Sequence, residues 1–190
     1  MNKHLRILAL VHKHLVPPED TTGVDIAAAE WKTEYDVTTT LRKCGHEVRI
    51  QGVHQDLAAI RASIEEFKPD IAFNLLEAFA DVTTFDQNVV SFLELVRVPY
   101  TGCNPRGLML ARDKSLSKQL LAYHRIPVPE FTVVRRGRKP VLTKRLKFPL
   151  IVKSLFFEAS AGISQASVVE SDEQLTRRVQ FIHDSLGTPA

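Results

Sequence analysis

The chain has 190 residues, and its content of 44% hydrophobic and 25% charged residues is that of an ordinary globular protein. The net charge of +3 is too small to argue for a nucleic-acid partner, because the basic clusters 135–139 and 144–147 flank an expected solvated loop. Cys44 and Cys103 form no CxxC motif, and the apolar run 7–11 is too short for a signal peptide or a membrane span. We therefore expect a cytoplasmic protein with reduced cysteines and no membrane partner.

From residue 5 onward, apolar runs alternate with stretches of helical periodicity. The run 5–11 has no helical gap, which indicates a buried parallel strand. Further strands are predicted at 48–53, 71–76 and 98–102, and helices at 26–43, 57–67 and 89–96. Two more helices are predicted, one that begins at Pro105 and one that follows Asp113 as its N-cap. The alternation predicts an α/β fold, namely a parallel sheet with helices on both faces in the order β-α-β-α-β-α-β.

The pattern changes after residue 126. Three predicted strands, 131–134, 150–152 and 163–169, follow without helices between them, which predicts a small, mostly antiparallel α+β subdomain. A capping box formed by Ser171 and Gln174 predicts the start of a final helix. The apolar face of that helix consists of Leu175, Val179, Ile182 and Leu186. We therefore expect two domains, 1–126 and 127–190.

Lys153 is the strongest single candidate for a binding residue. It ends an apolar strand and precedes a loop of mostly small residues that includes Gly162. An ammonium held at one point suits an anion such as a nucleotide phosphate, and exposed backbone N–H groups in such a loop can contact phosphate oxygens. The alternative is a strand-end lysine that simply reaches solvent, with Gly162 as an ordinary turn.

Four more residues are candidates because of where they lie on the predicted elements. Lys114 lies in the first turn of a predicted helix, where the helix dipole disfavours a cation; it is either functional or an ordinary solvated lysine. Glu77, Asp81 and Asp86 lie in or beside the loop after the third predicted strand. Ligands bind at the carboxyl ends of strands in open α/β sheets, although a solvated acidic loop would look the same.

Two other patterns do not lead to a predicted site. His12 and His14 form an HxH pair with the spacing of metal ligands, but the sequence shows no third ligand, so no metal site is predicted. Cys103 has no histidine that the sequence places beside it, so no catalytic residue is predicted there.

Four groups of residues match the pattern of a known family in their order along the chain and in their spacing. They are 92–95 with 99–102, 112–114 with 117–118, 126–129, and 148–164. Together they resemble the ATP-grasp superfamily, specifically the D-alanine–D-alanine ligase group, from about Asp70 to Asp184. The resemblance implies an enzyme that joins a carboxylate to an amine through an acyl phosphate made from ATP, with Mg²⁺. It also implies a nucleotide and a small-molecule substrate as partners, and it leaves open a homodimer through the N-terminal domain.

The resemblance assigns roles to particular residues of this chain. Lys114 and Lys153 look like the two lysines that contact the ATP phosphates. Ser160 and Gly162 look like the surviving positions of the loop that covers the phosphates. Glu94 matches the glutamate of the family's Leu-Glu-Leu stretch, for which we expect a structural role.

The chain also departs from the family pattern in places that concern the substrate. The glycine-rich loop after the first strand, which carries a substrate-binding glutamate in the family, is replaced by residues 12–18. Glu77-Ala78 stands where the family has a histidine-glycine pair, and only Asp86 survives of the Gly-Glu-Asp-Gly that follows. Glu77 and Asp86 are therefore the substrate-binding candidates, and D-alanine is not assumed as the substrate.

The family's adenine-binding hinge and magnesium carboxylates lie beyond Asp184. We therefore expect the Mg²⁺ ligands outside this chain, the C-terminal ATP-grasp domain to be absent, and the chain to be inactive alone. Two other hypotheses stay open. One is a non-catalytic α/β module that keeps the ligase fold and binds a small molecule or a protein, and the other is a split ligase completed by a second chain.

Overall fold

The computed structural model describes residues 4–157 and 162–190. It divides into two compact units, Met1–Leu108 and Met109–Ala190. The boundary between the two compact units, after Leu108, thus lies earlier in the chain than the predicted boundary after residue 126. The physical reason is that residues just after 108 bind within the second unit, for example through the hydrogen bond from the Lys114 ammonium to the Phe157 carbonyl.

A parallel sheet of three strands forms the centre of the first unit. The strands are β1 (Arg6–His12), β2 (Glu47–Val53) and β3 (Ile71–Asn74), in the order β2-β1-β3. Residues 7–11 of the central strand are all buried, and their side chains alternate between the two faces of the sheet. Both faces are therefore covered, as the uninterrupted apolar run predicts.

The helices of the first unit lie between and after its strands. They are α1 (Lys32–Lys43), α2 (Leu57–Phe67), α3 (Asp86–Leu95) and α4 (Pro105–Arg112), the last of which spans the division between the units. The helix predicted over 26–43 is wrong in its first part. The Asp25 side chain accepts a hydrogen bond from the Ala27 N–H and caps a separate 3₁₀ turn, after which Ala29 is extended.

The predicted fourth strand, 98–102, is reduced to one parallel bridge between Ala72 and Tyr100. Ala72 donates to the Pro99 carbonyl and accepts from the Thr101 N–H. Pro99 itself has no N–H to donate, and Gly102 has a φ of +98°, so the chain turns away after two hydrogen bonds.

The second unit contains α5 (Lys114–Tyr123), the two-stranded antiparallel sheet of β4 (Leu150–Ile151) and β5 (Val168–Val169), and α6 (Asp172–Ser185). The predicted strand 131–134 is wrong, because Val134 instead exchanges two backbone hydrogen bonds with Ala190. The predicted strand 163–169 keeps only its last two residues. A 3₁₀ turn at Gln165–Ser167, capped by Ser164, replaces most of the rest.

Helix α6 packs its apolar face as the periodicity predicts. Leu175, Val179 and Ile182 are buried, and Leu186 is partly buried beside them. Ser171 accepts a hydrogen bond from the Gln174 N–H, but the Gln174 side chain accepts from the Glu170 N–H, so the predicted capping box is only half formed. Within the described residues, no helix combines the length and the apolar character needed to cross a bilayer.

Candidate functional site

Two of the sequence-predicted phosphate-binding residues, Lys114 and Lys153, line one cavity in the second unit. The cavity has a volume of about 530 Å³, a size that suits a small-molecule ligand. The sequence therefore identified two lysines, 39 positions apart in the chain, that folding brings to the same concave surface. The walls are mostly apolar, with Val134, Leu142, Leu150 and Val152 among the lining residues.

Lys114 is half-buried, and its ammonium is held against the backbone. It donates a hydrogen bond to the Phe157 carbonyl at 2.6 Å, and the Leu155 carbonyl lies 3.4 Å away. The Asp113 side chain caps α5 by accepting from the Ser115 and Leu116 N–H groups, which fixes the position of Lys114 at the helix start. The helix dipole disfavours the Lys114 ammonium at this position, and the two carbonyl oxygens offset that cost.

Lys153 is exposed and lies two residues after the end of β4, next to the buried Val152. A third lysine, Lys118, also lines the cavity, with its ammonium 4.9 Å from the centre of the Phe131 ring. The acidic residue on the cavity wall, Glu130, lies 3.7 Å from the guanidinium of Arg145. The net charge of the described lining residues is therefore positive, which favours an anionic ligand.

Gly162 lies apart from the described residues that line this cavity. Its φ is +69°, and its carbonyl accepts a hydrogen bond from the buried Arg178 guanidinium. Arg178 also donates to the Ser167 hydroxyl at 2.8 Å, so α6 holds both the residue Gly162 before the Gln165–Ser167 turn and the last residue of that turn. The remaining predicted residue of the phosphate-covering loop, Ser160, lies outside the described residues.

A second cavity, of about 670 Å³, lies in the first unit at the carboxyl ends of β1 and β3. Its position is the one at which ligands bind in open α/β sheets. Glu77, a predicted substrate-binding residue, lines it together with Glu34, Asn74 and Asp81. Asp86, the other such residue, is buried in the first turn of α3, apart from the described lining of the cavity.

Glu34 is a candidate site residue that the sequence interpretation missed. It is only 6% exposed, and its Oε2 atom has no hydrogen-bond partner among the residues that the structure describes. A buried carboxylate without a partner is costly, and such groups concentrate at functional sites. The available signal was its helical spacing, because Glu34 lies three residues after Trp31 and four before the buried Thr38.

A group of imidazoles lies beside this second cavity. His12 is the last residue of β1, His54 directly follows the adjacent strand β2, and Asp81 lies in the loop after β3. The His54 Nε2 is 2.9 Å from Asp81 Oδ2, and the His12 Nε2 is 3.5 Å from Asp81 Oδ1. The hydrogen bond with His54 holds the pKa of the Asp81 carboxyl below its ordinary range. His54 directly follows a predicted strand, a signal that the sequence interpretation used for Glu77 but not here.

Comparison with known proteins agrees with this arrangement of an α/β unit followed by a small α+β unit. The chain has the fold of the D-alanine–D-alanine ligase of Bacillus anthracis, crystallised in complex with ATP, with a TM-score of 0.67 and 19% identity. The match covers 95% of this chain and 55% of that one. The fold class predicted from the sequence is therefore confirmed.

Several proteins of known sequence are similar to this chain. The chain is 33% identical over 158 residues to the D-alanine–D-alanine ligase of Syntrophotalea carbinolica, covering 82% of this chain and 48% of the relative. It is 30% identical to that of Desulforudis audaxviator and 32% identical to an uncharacterized protein, y4sG, of Sinorhizobium fredii, covering 45% and 43% of those relatives. No protein-family model matches.

The chain is thus a homologue of the D-alanine–D-alanine ligases of the ATP-grasp family, and the resemblance found in the sequence is confirmed. It spans about half the length of the curated relatives that it matches.

Proposed function

We propose that these 190 residues are the part of an ATP-dependent carboxylate–amine ligase that holds the ATP phosphates and one substrate. The observation that carries the proposal is the placement of Lys114 and Lys153 on one cavity whose described lining has a net positive charge. Relatives named D-alanine–D-alanine ligase support it, because their reaction class needs such a phosphate site. The ATP bound to the structural neighbour supports the choice of nucleotide.

The lysine cavity has the chemistry for phosphate binding but not for Mg²⁺. In the proposed reaction, a substrate carboxylate attacks the γ-phosphorus of ATP, ADP leaves, and an amine then displaces phosphate from the acyl phosphate. The lysine ammonium groups would offset negative charge on the phosphate oxygens. Glu130 is the acidic residue of the described lining, and its neighbour Arg145 competes for it, so the cavity offers Mg²⁺ no carboxylate cluster. We therefore expect the Mg²⁺ ligands beyond this segment.

The acidic cavity of the first unit is the proposed substrate site. Glu34 and Glu77 line it, and the Oε2 atom of Glu34 is buried without a hydrogen-bond partner among the described residues. A substrate ammonium group would supply that partner and compensate the carboxylate charge. The substrate class is therefore an amine-bearing acid, and the departures of residues 12–18 and Glu77-Ala78 from the family pattern leave its identity open.

The remaining parts of the proposal concern the setting of the protein. Cys44 and Cys103 both carry free, exposed thiols, which supports a cytoplasmic location. A homodimer through the first unit stays a proposal, which the molecular mass in solution would test. We expect this chain to be inactive alone.

Calorimetric titration with ATP tests the phosphate site. We expect weak binding, with a Kd on the order of 1 mM, because the lysine contacts alone offset only part of the cost of ordering the ligand. Lys153→Met should abolish it, whereas Lys147→Met should not, because Lys147 is an exposed lysine of the same unit apart from the cavity lining. Equal affinity in the two variants would reject the site, and would favour a binding module that keeps only the ligase fold. Micromolar affinity in the parent would mean that an adenine-binding wall is present.

A further inference from the structure

We propose that His12, His54 and Asp81 bind one divalent transition-metal ion, with Zn²⁺ as the first candidate. Each residue offers one ligand atom, and these atoms all lie within 4.8 Å of one another. Two imidazole nitrogens with one carboxylate oxygen are a donor set that suits Zn²⁺ and its neighbours in the first transition row. The same set is unsuited to Mg²⁺, which prefers oxygen ligands, so this site is separate from the Mg²⁺ of the proposed ligase reaction.

The sheet topology explains how three residues far apart in the sequence meet. His12 is the last residue of β1, and its register partner in the parallel strand β2 is Val53, directly before His54. Parallel neighbours end at the same edge of a sheet, which places the two imidazoles side by side with ring centres 5.7 Å apart. The sequence showed only the HxH pair, so this proposal departs from the prediction of no metal site.

The third ligand is delivered by a tight turn. Phe79 and Val82 exchange backbone hydrogen bonds, and the two residues between them, Ala80 and Asp81, have φ angles of +53° and +59°. Both central residues of a type I′ turn need positive φ, a conformation that residues with a side chain rarely adopt. The Ala80 N–H also donates to the His54 carbonyl at 2.7 Å, which fixes the turn against the end of β2.

The separations fit a metal that would bind between the three side chains. With Zn–N and Zn–O bonds of about 2.0–2.2 Å, ligand atoms of a tetrahedral site lie about 3.4 Å apart. His54 Nε2 lies 2.9 Å from Asp81 Oδ2 and His12 Nε2 lies 3.5 Å from Asp81 Oδ1, so each imidazole is at about that distance from one oxygen of the carboxylate. The Asp81 side chain is 71% exposed, so small adjustments would meet little steric resistance.

Three protein ligands leave one position of a tetrahedral ion for another group. His12 and Asp81 line the same cavity as Glu34, so that position is available to water or to an anionic group of a small molecule in the cavity. His14 lies outside the group of ligand atoms, and its side chain is exposed. It therefore serves as the control residue.

Calorimetric titration of the untagged chain with ZnCl₂ tests the proposal. We expect one ion per chain, a rise in the melting temperature with Zn²⁺, and no comparable effect of MgCl₂. Asp81→Asn should weaken Zn²⁺ binding at least about 10-fold while the melting temperature without metal changes little, because the side chain is exposed. His12→Ala and His54→Ala should each weaken binding at least as much.

His14→Ala breaks the HxH pair but keeps all three proposed ligands, and its affinity for Zn²⁺ should stay within about 3-fold of the parent. Binding that survives Asp81→Asn, or that His14→Ala removes, would overturn the proposed ligand set. Absence of Zn²⁺ binding in the parent would show that the group is only a hydrogen-bonded cluster that supports the turn. These measurements do not involve ATP, so their failure is distinguishable from failure of the proposed ligase function.

Discussion

The Lys114 ammonium donates a hydrogen bond of 2.6 Å to the carbonyl oxygen of Phe157. This contact joins the first turn of α5 to the segment that follows Lys153 in the chain. The two lysines of the cavity therefore differ in their contacts: the Lys114 ammonium binds a backbone carbonyl, whereas Lys153 is exposed two residues after β4. A phosphate-binding role and a structural role are separable by substitution.

Lys114→Met should destabilise the second unit, and Lys153→Met should not. Loss of the Lys114 ammonium removes a charged donor from the Phe157 carbonyl and should cost about 1–2 kcal/mol of unfolding free energy. Lys153→Met keeps most of an exposed apolar stem and should change stability by less than about 0.5 kcal/mol. Urea unfolding of the two variants checks this. A urea midpoint of Lys153→Met as low as that of Lys114→Met would contradict the distinction.

Gly162→Ala should destabilise the chain more than Gly137→Ala. Both glycines have positive φ, +69° and +73°, so each substitution carries the cost of left-handed backbone, about 1 kcal/mol. A Cβ at Gly162 would also lie 2.7 Å from Leu186 Cδ1, whereas a Cβ at Gly137 meets nothing within 4 Å. We expect about 1 kcal/mol of additional loss at Gly162 in urea unfolding. Equal losses would show that the Leu186 side chain moves aside freely.

The helices were predictable because their signals are local. Asp113, Ser171 and Pro105 lie at helix starts as their chemistry predicts, and α6 buries the face that its periodicity defines. The short strands were less predictable, because a strand exists only where a partner chain segment meets it. The segment 131–134 has the composition of a strand, but its Val134 forms backbone hydrogen bonds with Ala190, at the end of the second unit, and not with a neighbouring strand.

The candidate sites show the same limit. Lys153 could be found from its place at the end of an apolar run, and Lys114 from a cation in a helix first turn. The sequence could not predict that His54 and Asp81 lie close to His12. Their proximity depends on the strand order of the sheet and on a turn in which Ala80 and Asp81 have positive φ. Glu34 was missed because its helical spacing relative to Trp31 and Thr38 is a weak signal of burial on a helix with few apolar residues.

The pKa of Tyr100 gives a prediction about pH. The Tyr100 hydroxyl donates to Glu94 Oε1 at 2.7 Å, and this hydrogen bond is the first cause that raises the pKa of the phenol above its ordinary value of 10.0. The protonated phenol is therefore favoured in the folded chain. Its contribution to stability is fully present below the ordinary phenol pKa and is lost as the pH rises through the raised value.

Glu94→Gln should lower the pKa of Tyr100, because the acceptor loses its charge. The phenolate absorbance of the parent minus that of Tyr100→Phe isolates this group from Tyr35 and Tyr123. An unchanged Tyr100 titration in Glu94→Gln would show that the hydrogen bond is not maintained in solution. Confirmation would support the structural role expected for the glutamate of the Leu-Glu-Leu stretch.

Val179→Asp tests the packing of α6. Val179 is 2% exposed and lies in the apolar cluster with Val152, Val169 and Ile182. Aspartate there would place a carboxylate among aliphatic side chains, so we expect a loss of about 3 kcal/mol or more in unfolding free energy. Thr176→Asp is the matched control, because it introduces the same charge on the exposed face of the same helix and should change stability by less than about 0.5 kcal/mol. Melting temperatures measured by circular dichroism distinguish the two variants. If Val179→Asp melts with the parent, the apolar face of α6 is not packed in solution, and the fold of the second unit must be revised.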